Sequence, residues 1–138
     1  MGDSARIMTF NEVQRLIKNG DLSSLRHELD GGLSPSLSNQ SSWTLLMLAA
    51  TEGNTAIGEL LVSRGAELDT INDFGETALS IAACGGHTPF IQVLLANGAS
   101  INCHPHGHDL QDWIRIASGL HKYKIASILE LIYKGGVG

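Results

Sequence analysis

Long apolar runs and a secretion signal are both missing from this chain of 138 residues. The longest purely apolar run, Leu45 to Ala50, is too short to span a bilayer, so no membrane contact is expected. The N-terminus lacks the charged start and long apolar stretch of a signal peptide, which favours a cytoplasmic protein. Two cysteines, Cys84 and Cys103, do not make a disulfide framework, and a reducing compartment suits them.

Basic residues are scarce as well. Nine Lys and Arg accompany fourteen Asp and Glu, and the net charge is -5. The chain has no basic stripe of the kind that nucleic-acid binding needs, so no nucleic-acid partner is expected. Between Glu52 and Glu76 there are six acids and one base, Arg64. This acidic middle favours a protein partner with a basic surface, although such charges often serve only as a solvated face.

Aromatic residues make up only 5% of the chain, so the core must consist mainly of Leu, Ile, Val and Ala. Hydrophobic residues account for 43% and charged residues for 17%, a balance typical of folded globular proteins rather than disordered ones. At this length we expect one domain with a modest core.

The strongest feature that is present is an internal repeat, whose period of about 33 residues is typical of helical repeat proteins. The segment WTLLMLAATEGNTAIGELLVSRGAELD, from Trp43, aligns with ETALSIAACGGHTPFIQVLLANGASIN, from Glu76. The aligned pairs include Thr44 with Thr77, Leu46 with Leu79, Ala49 with Ala82, Gly53 with Gly86, Leu61 with Leu94, and Gly65 with Gly98. A slightly longer spacing extends the pattern to Ile114 and Ala117, so two residues are inserted before the last unit.

Each unit predicts a pair of helices. A threonine, Thr44 or Thr77, can cap the first helix, and a glycine, Gly53 or Gly86, can end it. The second helix carries apolar residues at helical spacing, namely Ile57, Leu60 and Leu61 in one unit and Phe90, Val93 and Leu94 in the next. Because one helix pair cannot bury its apolar face alone, the units are expected to stack into a solenoid.

These residues resemble the ankyrin repeat, whose pattern runs T-P-L-H-x-A-A-x-x-G-H and then I-V-x-L-L-L-x-x-G-A-D. The resemblance implies an all-α solenoid of stacked helix–turn–helix units with extended finger turns, in a small stand-alone protein of about four repeats. We expect a single domain over 9–134 with a flexible leader and tail (1–8 and 135–138), its units being about 9–38, 39–71, 72–104 and 105–134. The end units are expected to be caps, and Thr9 with Glu12 shows a capping-box signature.

In ankyrin-like proteins, partners usually contact the finger turns and the exposed side of the first helices, so the resemblance implies a module that binds one protein partner. The positions carried over are Gln40, Ser41, Trp43, Met47, Glu52, Asp73, Phe74, Glu76, Ser80, His104, His106, His108, Gln111 and Trp113. Trp43 and Phe74 fall at turn positions that are normally polar, where large aromatic side chains suit binding anchors. The alternative is that Trp43 or Trp113 folds back over a helix end.

The segment NCHPHGHDLQDW contains the candidate metal ligands Cys103, His104, His106 and His108. If the segment is extended, its alternation puts the three imidazoles on one side, where they could hold Zn²⁺, Ni²⁺ or Cu²⁺. Structural zinc sites usually combine ligands from separated segments, and Gly107 makes this one flexible. We therefore interpret it as a lengthened finger and expect no metal and no cofactor. A metal- or redox-responsive binding protein is the alternative function.

Catalytic motifs are absent from the sequence. No Ser/His/Asp arrangement is suggested by spacing, and no glycine pair has the strand-to-helix context of a nucleotide loop. His87 follows a glycine at the repeat's usual position and is expected to make structural hydrogen bonds between loops. The chain is therefore predicted to be a binding protein and not an enzyme, for example an inhibitor, an immunity-type protein or a regulatory protein. On its own it is expected to be a monomer.

Overall fold

Residues 8–100 are the part of the chain that a computed structural model describes, and they contain six helices. They are α1 (Phe10–Asn19), α2 (Leu22–Asp30), α3 (Leu45–Glu52), α4 (Thr55–Ser63), α5 (Ala78–Gly85) and α6 (Thr88–Ala96). No strand forms among these residues, and none of their helices has the length and apolar character needed to cross a membrane. The predicted all-α architecture of helix–turn–helix pairs is confirmed.

Side-chain caps fix where the helices begin. Thr44 and Thr77, as predicted, each accept a hydrogen bond of 3.1 Å on Oγ1 from the backbone N–H three residues further on. Thr9 and Glu12 form the predicted capping box at the start of α1. Because such a cap satisfies a backbone N–H group that the helix leaves unpaired, Thr44 and Thr77 contribute about 1 kcal/mol each.

The helices stack in two layers. In the inner layer α3 packs against both α1 and α5, and in the outer layer α4 packs against both α2 and α6. The alanine pairs of α3 and α5 are at most 1% exposed, so small side chains permit the close spacing of the inner helices. Large side chains fill the remaining space, among them Val13, Ile17, Leu25, Leu46, Ile57, Leu61, Phe90, Ile91 and Leu94. Each stabilises the fold by about 1.5–3 kcal/mol.

A glycine within α4 marks a close approach in the outer layer. A Cβ atom at Gly58 would lie 2.6 Å from a ring carbon of Phe90, whose side chain is fully buried. Glycine inside a helix costs about 1 kcal/mol relative to alanine. At this position the ring of Phe90 occupies the space that a larger residue would need, so the packing gain offsets that cost.

The imidazole of His87 lies between glycines of two successive units. A Cβ atom at Gly53 would come within 2.5 Å of Nδ1, and one at Gly85 would come within 2.5 Å of Nε2. Among the described residues the His87 side chain makes no hydrogen bond, so the predicted bonds between loops are not formed there. The ring instead acts as a packed spacer between the C-terminal ends of α3 and α5.

Two extended segments join the helix pairs. We call them the first finger (31–44), between α2 and α3, and the second finger (64–77), between α4 and α5. The described helices fall in the first three predicted units, whereas the fourth unit, the tail and all of the leader except Met8 lie outside the described residues. The unit boundaries therefore stay a prediction.

Hydrogen bonds that recur with the repeat hold successive units in register. Ser36 Oγ accepts a bond of 3.1 Å from the backbone N–H of Glu67. One unit further on, Asp69 Oδ1 accepts a bond of 2.8 Å from the backbone N–H of Ser100. Because both bonds connect the same two repeat positions, they fix the spacing of the fingers as well as of the helices.

Substituting Gly53 tests the packing of His87. Gly53 and Gly65 have φ values of +67° and +88°, so alanine at either position should lose about 1–2 kcal/mol through left-handed strain. No described residue lies within 4 Å of a Cβ at position 65, whereas at position 53 that atom strikes His87. We expect Gly53→Ala to lower the free energy of unfolding in urea more than Gly65→Ala does.

A double variant separates strain from contact. His87→Ala, added to Gly53→Ala, should recover part of the extra loss because it removes the side chain that the new methyl group strikes. Equal losses for the two single glycine variants would contradict the packing role of His87.

Candidate protein-interaction surface

Each finger is shaped by an asparagine that accepts two backbone hydrogen bonds. In the second finger, Asn72 Oδ1 accepts from the N–H groups of Phe74 and Glu76, both at 2.9 Å, and its Nδ2 donates to Glu76 Oε1 at 3.2 Å. Asn72 is only 4% exposed. Asn39, at the equivalent position of the preceding unit, makes the same pair of backbone bonds in the first finger. The fingertips are therefore rigid, and little ordering entropy has to be lost when a partner binds.

The first finger also stores backbone strain. Ser42 has a φ of 61° and is the only non-glycine residue with positive φ in the described range 8–100. Its equivalent in the second finger is Gly75, with a φ of 76°. A left-handed serine costs about 1–2 kcal/mol, so the asparagine bonds impose the turn on a residue that does not favour it.

The second finger carries the most exposed large apolar side chains of the described residues. Phe74 is 61% exposed and Ile71 is 47% exposed. Apolar side chains held in water on a rigid turn are typical of a protein-binding site. The exposure of Phe74 supports its predicted place on the surface. Ile71 is absent from the predicted contacts. An isoleucine within an otherwise acidic and polar finger is the sequence signal that could have identified it.

Trp43 has an intermediate position. Its side chain is half-buried and packs against the hydrophobic core, yet it also lines an open groove. Its backbone N–H donates to Asn39 Oδ1 at 3.0 Å, which fixes the residue at the base of the first finger. Trp43 thus combines the two alternatives, because one part of the ring supports the fold and another part is open to a ligand.

The groove beside Trp43 has a volume of about 310 Å³ and lies between α1 and α3. We call it the inner groove. Its apolar lining comprises Phe10, Ile17, Trp43 and Leu48, and its polar lining comprises Gln14, Lys18, Asn39, Thr51 and Glu52. The predicted contacts include Trp43 and Glu52 but none of the lining residues from the first unit, which the sequence predicts to be a cap. A signal exists nonetheless, since Phe10 and Trp43 are one full period apart and so occupy the same repeat position.

Exposed or half-buried carboxylates lie around these apolar features, and Lys18 is the cation that lines the inner groove. Arg64 is the only Lys or Arg from position 27 to position 100, and its guanidinium lies 2.6 Å from the carboxylate of Asp30. Glu52 and Asp73 are exposed, and Glu76 is half-buried. The inner face of the second and third units therefore presents a negative potential to a partner.

Two predicted contacts are contradicted by burial. Met47 is 1% exposed and Ser80 is 3% exposed. Ser80 forms a capping box with Thr77, accepting from its backbone and donating to its carbonyl at 3.0 Å. Neither side chain reaches the surface, so we remove both from the candidate surface. Among the other predicted contacts, Gln40 is exposed and Ser41 is half-buried.

Cys84 lies near the end of α5 and is half-buried. Burial raises the pKa of the Cys84 thiol above its usual value, and the nearby Glu76 carboxylate raises it further. The thiol therefore stays protonated at neutral pH and is a poor nucleophile. This environment gives no support to a redox function at this cysteine.

The remaining predicted site residues lie outside the described range, namely the metal candidates Cys103, His104, His106 and His108 and the contacts Gln111 and Trp113. Within residues 8–100, no group of three or more His, Cys, Asp or Glu residues is placed to hold a metal ion. The histidine segment therefore stays a prediction, both as a finger and as a metal site.

A family model described as ankyrin repeats, in three copies, matches residues 12–104, which is more than half of the chain. The chain belongs to the ankyrin repeat family. Ankyrin repeats are generally protein–protein interaction modules, and the family fold is a non-catalytic one. The stacked helix pairs, the glycine-ended inner helices and the paired fingers described above are consistent with this membership.

Curated relatives support the assignment over parts of the chain. The mouse ankyrin repeat and SAM domain-containing protein 6 is 34% identical over 106 residues, covering 77% of this chain and 11% of that protein. The human ankyrin repeat, SAM and basic leucine zipper domain-containing protein 1 is 38% identical over 75 residues, covering 54% and 15% respectively. The ankyrin chain thus spans only a small part of the length of these relatives.

Replacing Asn72 by Asp should destabilise the second finger. Aspartate keeps both acceptor bonds but loses the donor to Glu76 Oε1 and places a second carboxylate beside it. We expect a loss of about 2 kcal/mol at neutral pH, measured by urea unfolding. Repulsion raises the pKa of one carboxyl group of the pair above its ordinary value, so the deficit should shrink as the pH falls towards about 4.

Asn39→Asp is the matched control for this variant. Asn39 makes the same two acceptor bonds, but Trp43 stands where the second finger has Glu76. It should therefore show a smaller loss with weaker pH dependence. The same loss and the same pH profile in both variants would rule out the carboxylate pair as the cause.

The metal alternative has a direct test. If Cys103, His104, His106 and His108 hold a metal, one equivalent of Zn²⁺ should raise the melting temperature of the full chain. A variant with His104, His106 and His108 changed to Ala should lose that shift. An unchanged melting temperature at stoichiometric Zn²⁺, Ni²⁺ and Cu²⁺ would remove the metal hypothesis.

Proposed function

We propose that this ankyrin chain binds one protein partner through its two fingers and the inner face of α1, α3 and α5, and that the partner presents basic residues around an apolar site. The exposure of Phe74, 61% on a fingertip held by Asn72, is the observation that carries this proposal. Burying that ring against a partner would remove apolar surface from water without a large ordering cost.

The charge of the surface supports the nature of the partner. Asp73 lies beside Phe74 in the chain and is exposed, and Glu52 is exposed at the end of α3. The only Lys or Arg from position 27 to position 100, Arg64, is paired with Asp30. A partner with lysines or arginines around an apolar pocket would therefore gain both electrostatic steering and burial of Phe74.

In this proposal the chain acts by occupying a surface of its partner, as an inhibitor, an immunity-type protein or a regulatory protein. It does so as a monomer and without catalysis of its own, which suits the non-catalytic character of the family fold. The negative inner face disfavours nucleic acid as the ligand, because phosphate backbones require cationic surfaces.

The test starts from affinity isolation with the full chain as bait, followed by calorimetry on each recovered partner. Phe74→Ala should weaken the dissociation constant about 30-fold, equivalent to about 2 kcal/mol. Its unfolding midpoint should stay close to that of the parent chain, because most of the ring is in solvent. Gln92→Ala, an exposed change on α6 of the outer layer, is the control and should leave binding unchanged.

Two further readouts complete the test. Affinity should fall as salt is raised from about 0.1 to 0.5 M, because exposed charges are screened over that range. Trp43→Ala should weaken binding but also lower stability, since the ring packs against the core. The proposal would be refuted if the affinity for the partner changed neither with Phe74→Ala nor with the salt concentration.

A further inference from the structure

We infer that the inner groove is an anchor pocket for one apolar side chain of a polypeptide segment, and that this segment carries Lys or Arg on the side of Glu52 and not on the side of Lys18. This inference rests on the proposed function and specifies the sequence that the partner must offer. It also gives the first unit, treated above as a cap, a direct part in recognition.

The lining of the groove supports an apolar side chain as the occupant. Phe10, at the start of α1, and Trp43, just before α3, contribute aromatic surface at the finger end, and Leu48 contributes apolar surface midway along α3. All three side chains are only half-buried, so the groove is open to a ligand. Aromatic and aliphatic walls with a polar rim are typical of pockets that hold an anchor residue.

The size of the groove favours a side chain over a separate small molecule. Its volume of about 310 Å³ is at the lower end of the range for cavities that hold small ligands. The finger end of the groove also continues towards the second finger, since the backbone N–H of Asp73 donates to the carbonyl of Ser41 at 2.9 Å. A segment anchored in the groove can therefore run on to Asp73 and Phe74.

Charge gives the segment its polarity. Lys18 lines the α1 side of the groove and Glu52 lines the α3 side, and both are exposed. Asp73, in the second finger, is also exposed, and the stretch 27–100 has no Lys or Arg other than the paired Arg64. A cation next to the anchor is therefore attracted on the Glu52 side and repelled on the Lys18 side.

Position 51 provides a way to close the groove without disturbing the core. Thr51 is exposed on α3 and lines the groove, and its hydroxyl donates to the carbonyl of Met47 within the same helix. Thr51→Trp should fill the pocket. Glu52→Lys reverses the charge at the rim, and Glu59→Lys makes the same change in net charge at an exposed position of the outer helix α4, away from the groove.

The experiment uses a random library of 12-residue peptides on phage, selected on the full chain. We expect enriched peptides to share an apolar residue with Lys or Arg close to one side of it. For synthetic versions of these peptides, Thr51→Trp should weaken binding about tenfold or more, and Glu52→Lys about fivefold. Lys18→Glu should strengthen binding, and Glu59→Lys should change it less than twofold.

The outcomes separate this inference from the proposed function. The groove assignment is overturned if the Thr51→Trp variant binds the selected peptides as tightly as the parent chain does. It is also overturned if the selected peptides lack a basic residue near the anchor. If those peptides lose affinity with Phe74→Ala, the proposed function holds while the groove assignment fails. If they respond to neither variant, both fail. The assignment is supported if Thr51→Trp lowers the affinity for the peptides, Glu52→Lys lowers it and Lys18→Glu raises it.

Discussion

Close stacking of the inner helices is the constraint on which the rest of this structure depends. One helix pair leaves its apolar face in water, so each unit is stable only against its neighbours. The buried alanines of α3 and α5 allow that approach, and the ring of His87 then fits between Gly53 and Gly85. The same spacing brings the fingers within reach of each other, so that the backbone N–H of Asp73 can donate to the carbonyl of Ser41. The interaction surface therefore inherits its geometry from the core.

On this constant scaffold, side chains at equivalent positions differ from unit to unit. One repeat position holds Phe10, then Trp43, then Glu76, and another holds Lys18, then Thr51, then Cys84. Along the stack the first position changes from aromatic to acidic, and the second changes from cationic to neutral. The same caps and the same packing hold the backbone at these positions in each unit. Consequently the surface can change its chemistry in steps of one unit while the fold stays the same.

The fold could be predicted from the sequence because its determinants are local and recur in each unit. Thr44 caps α3 and Gly53 ends it as expected, since both effects depend only on nearby backbone groups. The surface was harder to predict. Burial of Met47 depends on how α3 sits against its neighbours, and a repeat position alone does not fix it. The inner groove requires distances between two units, although the spacing of Phe10 and Trp43 signals it. The packing of His87 likewise depends on two glycine backbones that no local pattern brings together.

The fingertips show why specificity can reside in so few residues. Asn39 and Asn72 hold the two turns with the same backbone hydrogen bonds, and the geometry persists even where Ser42 is strained. The side chains at the tips therefore contribute little to shaping the turns. They are Gln40 and Ser41 in the first finger and Asp73 and Phe74 in the second. Because the asparagine bonds hold the turn, the side chains at the tip are available for binding. A solvated turn normally carries polar side chains, so the exposed Phe74 beside the carboxylate of Asp73 is the feature of these tips that most indicates a binding site.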